Sequence, residues 1–209
     1  MNKQNTTNKN IQEVIEFPYN VLVMDYIPSI NLYVSREKIL HGNNWYKCHE
    51  DLNKKGLQML TIPKFIHYIN YLKENPNSNN NKILDDILEV RSPWRAEWLD
   101  AKFGNNTITD HKELYKNKLE KVTENLEDCL MEDKFPGIDL EYWLNNHTKQ
   151  GLPLKNTPKG NLYYYYPRNG TVARFSADSG RANLDCNRNP DDSDSDLGVR
   201  AAKIPILNK

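Results

Sequence analysis

The chain has 209 residues, 38% of them apolar and 27% charged, with no formal net charge. At this length about 70% of the unfolded surface can be buried, so one core can form without disulfides or metal, and a single domain is expected. Zero net charge provides no basic face of the kind nucleic-acid readers carry, and no apolar run approaches the roughly 18 residues of a membrane span. Neither nucleic acid nor direct membrane insertion is therefore expected. The opening MNKQNTTNKNIQEVIE lacks an apolar h-region, so the expected location is cytoplasmic, with later display on a virion or surface left open.

Residues 1–16 are polar and rich in Asn, Thr and Lys, and are expected to form a flexible tail ahead of a domain over 17–209. Tyr19 to Tyr26 is a short β-forming run that stops before Pro28 and predicts a strand. From Asn44 to Lys55, Trp45, Cys48 and Leu52 recur at helical spacing and Gly56 follows as a stop. Thr61-Ile62-Pro63 reads as an N-cap with Pro just inside the next helix, whose apolar side carries Phe65, Ile66, Ile69 and Leu72. Asn75 to Asn81 reads as a loop and Lys82 to Val90 as another amphipathic helix, broken at Arg91-Ser92-Pro93. A strand is expected within Trp94 to Phe103, a mixed and partly helical insertion over 104–134, and a turn at Pro136-Gly137. Ile138 to Asn146 reads as a helix with Leu140, Trp143 and Leu144 inward. Strand patterns then follow at Tyr163–Tyr166, Val172–Phe175, Leu184 with Cys186, and Leu197–Ile204. Short helices followed by small antiparallel sheets make the expected class α+β.

Several residue groups invite a chemical reading and fail it. Cys48, Cys129 and Cys186 are widely spaced and the five histidines are scattered, whereas a zinc site in sequence shows ligands at short spacings. Free thiols, no metal and no cofactor are expected. Asp192-Ser-Asp-Ser-Asp196 opens like a calcium loop, but its sixth and twelfth places hold Leu197 and Lys203 where an EF-hand needs Gly and Glu. A looser calcium site among six aspartates, Asp178 to Asp196, stays open beside the reading as a solvated acidic loop. Trp94, Glu97 and Trp98 read as core plus cap, His49 and His67 as packing or surface residues, and two of Tyr163–Tyr166 as buried by strand alternation. No nucleophile–base constellation or phosphate-cradling glycine loop is present, so an enzyme is not expected.

The informative stretch is Ser176 to Asp196, where 14 of 21 residues are Asn, Asp, Ser or Gly, against 46 of the other 188. Ala177, Ala182, Leu184, Cys186 and Pro190 punctuate it as framework positions would, unlike a low-complexity linker. Asn, Asp, Ser and Gly share codons of the purine–purine–pyrimidine form, and each is reached from an Asn codon by adenine-to-guanine change alone.

Val172-Ala-Arg-Phe175, the polar segment, and Leu197-Gly-Val-Arg-Ala-Ala202 resemble the C-terminal end of variable proteins of diversity-generating retroelements. Upstream, Trp45, Cys48, Leu52, Gly56-Leu57 and Leu60-Thr-Ile-Pro63 with Phe65 resemble the two-helix element of that family. The resemblance implies a C-type lectin fold related to formylglycine-generating enzymes, with one face tolerating wide variation. It implies that Ser176, Asp178, Ser179, Gly180, Asn183, Asp185, Asn187, Asn189, Asp191, Asp192, Ser193, Asp194 and Asp196 are the variable contacts. Phe175, Ala182, Leu184, Gly198 and Val199 would be fixed support.

The expected function is recognition of a protein or glycan target by this diversified surface. Six Asp against three Arg through Arg200 favour a basic or hydrogen-bond-rich ligand. The alternatives are a calcium-dependent sugar-binding lectin and a formylglycine-generating-type oxidase. The oxidase needs a reactive cysteine pair, and Cys186 has no partner nearby in sequence.

Overall fold

The computed structural model describes residues 12–17, 20–113 and 119–205. Three strands come first, β1 (Gln12–Phe17), β2 (Asn20–Ile27) and β3 (Leu32–Ile39), paired antiparallel in sequence order. Residues 12–16, read from sequence as tail, thus belong to a strand; residues 1–11 lie outside the described residues. Helix α1 (Trp45–Asn53) begins where the Asn44 side chain accepts the Lys47 N–H, and buries Trp45, Cys48 and Leu52 as the spacing predicts. Gly56, at φ +67, turns the chain into the two-residue strand β4 (Gln58–Met59).

Helix α2 (Ile62–Glu74) is capped by Thr61, with Pro63 in its first turn, and buries Phe65, Ile66, Tyr68, Ile69 and Leu72. Helix α3 (Ser78–Leu88) starts four residues before the expected Lys82, because the Asn77 side chain accepts from the N–H groups of Asn79 and Asn80. That side-chain cap converts part of an Asn-rich loop pattern into a helical first turn.

Strand β5 (Arg95–Phe103) leads into a hairpin of β6 (Thr107–Glu113) and β7 (Leu119–Asn125). The hairpin replaces the partly helical insertion expected over 104–134. Its pairs are largely polar, such as Lys112 with Glu120 and Thr109 with Thr123, so it shows little apolar alternation to read. Strand β8 (Lys134–Ile138) runs through Pro136-Gly137, expected as a turn, and contains a cis Phe135–Pro136 bond. It is the last strand of the sheet order, where a residue without an N–H is tolerated. Helix α4 (Leu140–Asn145) precedes β9 (Leu162–Tyr165), β10 (Val172–Ala177), β11 (Ala182–Arg188) and β12 (Leu197–Lys203).

All twelve strands join in one sheet, ordered β1-β2-β3-β12-β5-β10-β11-β9-β8, with β4 on β12 and the β6–β7 hairpin on β5. The sheet is mixed, because β12 pairs parallel with β5 and β11 parallel with β9. The described residues therefore form a single mixed α/β domain with one large sheet and four α-helices. Small antiparallel sheets following the helices were expected; instead three strands precede the helices and everything pairs into one sheet.

Two buried clusters flank this sheet. One packs α2 and α4 on β10 and β11 through Phe65, Ile69, Trp143, Phe175 and Leu184; the other packs α1 on β2, β5 and β12 through Trp45, Met24, Trp98 and Val199. Phe175 sits between the rings of Phe65 and Trp143, with centroids 5.2 and 6.4 Å away. Gly198 has no room for a side chain, since a Cβ there would come within 2.9 Å of the Ile39 carbonyl oxygen. None of the described helices is long and apolar enough to cross a membrane.

Candidate ligand-binding face

Alternation along β10 and β11 divides the Asn/Asp/Ser-rich segment into two sides. Phe175, Ala177, Ala182, Leu184 and Cys186 enter the buried cluster beneath the sheet. The intervening residues project to the opposite face, as strand geometry requires. Cross-strand partners confirm this side: Asn183 donates to Ser176 Oγ at 3.3 Å, and Arg174 donates to Asp185 at 3.0 Å. Register carries the same face onto β9, where Asn183 pairs with Tyr163 and Asp185 with Tyr165.

Aromatic rings border the polar centre. Phe135, 52% exposed, packs against Tyr163 and Tyr165 with centroids 5.3 and 5.0 Å away. The Arg181 guanidinium lies 5.0 Å above the Tyr163 ring, and that of Arg174 lies 5.5 Å from Trp94. Such amphipathic rings combine contact area with few rotamers, a composition suited to recognition. Of Tyr163–Tyr166 only Tyr164 is buried, not the two expected; Tyr166 follows the end of β9 and escapes the alternation. Trp98 and Glu97 are core, as expected, while Trp94 is half-exposed at the edge of the face.

Thirteen residues were expected to make contact, and they occupy three settings. Ser176, Asn183 and Asp185 are only 5, 6 and 4% exposed and form the floor of the face, not exposed contacts. Neighbouring arginines account for that: Arg181 Nε donates to Asn183 at 3.1 Å, and Arg174 covers Asp185. Asn187 extends the same row and is half-exposed. Asp178, Ser179 and Gly180 make the β10–β11 turn. Asn189, Asp191, Asp192, Ser193, Asp194 and Asp196 lie in the β11–β12 loop, which is anchored where Trp45 N–H donates to Pro190 and Gly42 N–H to Asp194.

Burial raises the pKa of Asp185, an effect that Arg174 and Arg188 oppose, and burial lowers that of Arg174. Both directions reflect desolvation of a buried pair, so the pair orients the floor more than it stabilises the fold. The face carries Arg174, Arg181 and Arg188. Arg200, counted with the segment from sequence, is buried elsewhere beside Glu97.

Many of the short polar side chains also hold the backbone. Asp178 accepts from the N–H groups of Gly180 and Arg181, Asn189 from Asp191, and Asp194 from Asp196. These are Asx turns, a structural reason for Asn and Asp independent of any ligand. Asp178→Ala is accordingly expected to cost about 1 kcal/mol in urea unfolding, against under about 0.5 kcal/mol for Ser179→Ala.

The aspartates of the loop do not converge. Asp192 pairs with Arg188, and the Asp194 side chain turns back on its own chain. All three cysteines are buried and unpaired, and burial pushes the Cys186 thiol well above its ordinary range. Sequence spacing gave no site role to Trp94, Phe135 or Arg174: the fold brings Trp94 and Phe135 beside the segment, and strand pairing sets Arg174, its near neighbour in sequence, against Asp185. It also missed a convergence of His49, Asp100 and His111 elsewhere in the fold. Comparison with protein-family models, curated proteins and solved structures finds no match.

Proposed function

We propose that this chain is a ligand-binding protein of C-type-lectin type whose C-terminal face is diversified by retroelement-directed adenine mutagenesis and recognises a protein or glycan target. The observation that carries this reading is the division of one biased segment. Its apolar residues fill the core while its Asn, Asp and Ser residues line one sheet face and the loops beside it. Substitution at exposed loop positions costs little stability, so such a surface can vary while the scaffold persists. The competing oxidase reading loses support because Cys186 is fully buried and burial pushes its thiol pKa well above the ordinary range. A calcium-dependent lectin loses support because two of the four loop carboxylates are already engaged, Asp192 by Arg188 and Asp194 by the Asp196 N–H.

Sequencing the DNA beside the gene tests the proposal directly. A near-copy of the Val172–Arg200 coding segment, with adenines at the codons of the thirteen positions and a reverse-transcriptase gene nearby, is the expected result. Flanking DNA with neither repeat nor reverse transcriptase would sink the diversification. Once a target is in hand, its affinity should fall as salt rises, since six aspartates outnumber Arg174, Arg181 and Arg188 on and around the face. An affinity indifferent to salt would refute the preference for basic ligands.

A further inference from the structure

His49 on α1, Asp100 on β5 and His111 on β6 come together although they are distant in sequence. One ligand atom from each lies within 4.8 Å of the other two. Asp100 is almost fully buried, and its Oδ1 stands 3.1 Å from His111 Nδ1 and 3.3 Å from His49 Nε2. Donors bound tetrahedrally at 2.0–2.1 Å from a zinc ion stand roughly 3.3 Å apart, so two edges of the polyhedron are already set. The other Asp100 oxygen accepts the His111 backbone N–H at 2.8 Å, which fixes the carboxylate's orientation as outer-shell bonds do for metal ligands.

Hydrogen bonding alone accounts for only part of this. His111 Nδ1 lies within hydrogen-bond reach of both Asp100 oxygens, 3.1 Å from each. His49 Nε2 is buried 3.3 Å from the same carboxylate, in ion-pair range but without hydrogen-bond geometry. Leaving a buried polar atom unsatisfied is unfavourable, and a shared cation would satisfy it. His111 also lines a cavity of about 300 Å³ bordered by Thr61, Asp110, Lys112 and Gln150.

We propose that His49, Asp100 and His111 form a binding site for a late first-row divalent cation of the zinc class. Two imidazoles and one carboxylate suit such ions, whereas calcium and magnesium require mostly oxygen donors. The site is independent of the ligand-binding face.

The test uses the full chain, stripped with a chelator and titrated with zinc chloride by calorimetry, with cobalt(II) absorption as a spectroscopic probe. Wild type should bind one equivalent of zinc, rise in Tm as zinc is added, and give the visible bands of low-symmetry cobalt(II). His49→Ala should weaken binding by roughly tenfold or more through loss of one of three ligands, and His49→Gln serves if the alanine variant does not fold. His67→Ala, on the exposed side of α2, should titrate as wild type does. Absence of binding and of any Tm shift in wild type would overturn the site, as would equal affinities for wild type and the His49 variants.

Discussion

Arg200→Ala is expected to destabilise the chain by about 3–5 kcal/mol, the cost of breaking a buried ion pair from one side. Arg200 is 1% exposed; its Nε lies 3.2 Å from a Glu97 carboxylate oxygen that is itself buried. Its remaining donors reach the Arg36 carbonyl and the Asp86 carboxylate at 3.4 Å, and its guanidinium lies 5.7 Å from the Tyr68 ring. Truncation therefore strands the Glu97 charge beneath β5 and leaves the Arg36 carbonyl without its donor. For a domain of this size that corresponds to a Tm loss of roughly 6–20 °C. Removing both charges, as in Arg200→Met with Glu97→Leu, should recover most of the loss, because apolar groups need no partner. Urea unfolding of the two variants decides it. A single variant losing under about 1 kcal/mol would mean that solvent reaches Glu97 and that the network does not join β12 to β5.

Arg200 also marks how far the sequence could be read. It stands at the end of a segment full of exposed aspartates, and nothing local tells that its partner is Glu97 across a parallel strand pair. Local signals were sound where local physics decides. Thr61 caps α2, Gly56 ends the first helical unit, and Phe175 with Leu184 alternate as sheet core. They failed where partners decide. Strand β3 reads Leu-Tyr-Val-Ser-Arg-Glu-Lys-Ile, and its Arg36 and Lys38 look like a solvent loop until Asp25 and Asp86 are placed beside them. The β6–β7 pairs are polar on both strands, so their period carries no apolar signature. The same limit governs the sites. The candidate face was visible only as a compositional bias, and its aromatic border and the His49–Asp100–His111 convergence depend on sheet register and helix packing.

Phe175→Ala is expected to cost about 3–5 kcal/mol, while joint substitution of Ser179, Asn187, Asp191 and Ser193 should cost under about 2 kcal/mol. Phe175 is buried between Phe65 and Trp143, and its removal opens a cavity between α2, α4 and the sheet that the closed rings cannot fill. The four polar residues sit at least partly in solvent, and no hydrogen bond runs from their side chains to the fold among the described residues. Sequence proximity makes the contrast informative: Phe175 and Ser179 are separated by three residues, yet the fold assigns them opposite roles. A chain whose C-terminal segment merely solvates the surface has no need of a core strand threaded through it. A chain built to vary there does, because the strand holds the face in register whatever residues it presents. Thermal unfolding of the quadruple variant and of Phe175→Ala tests this division. Comparable losses in the two would show that the polar positions are structural, which would leave no surface free to diversify.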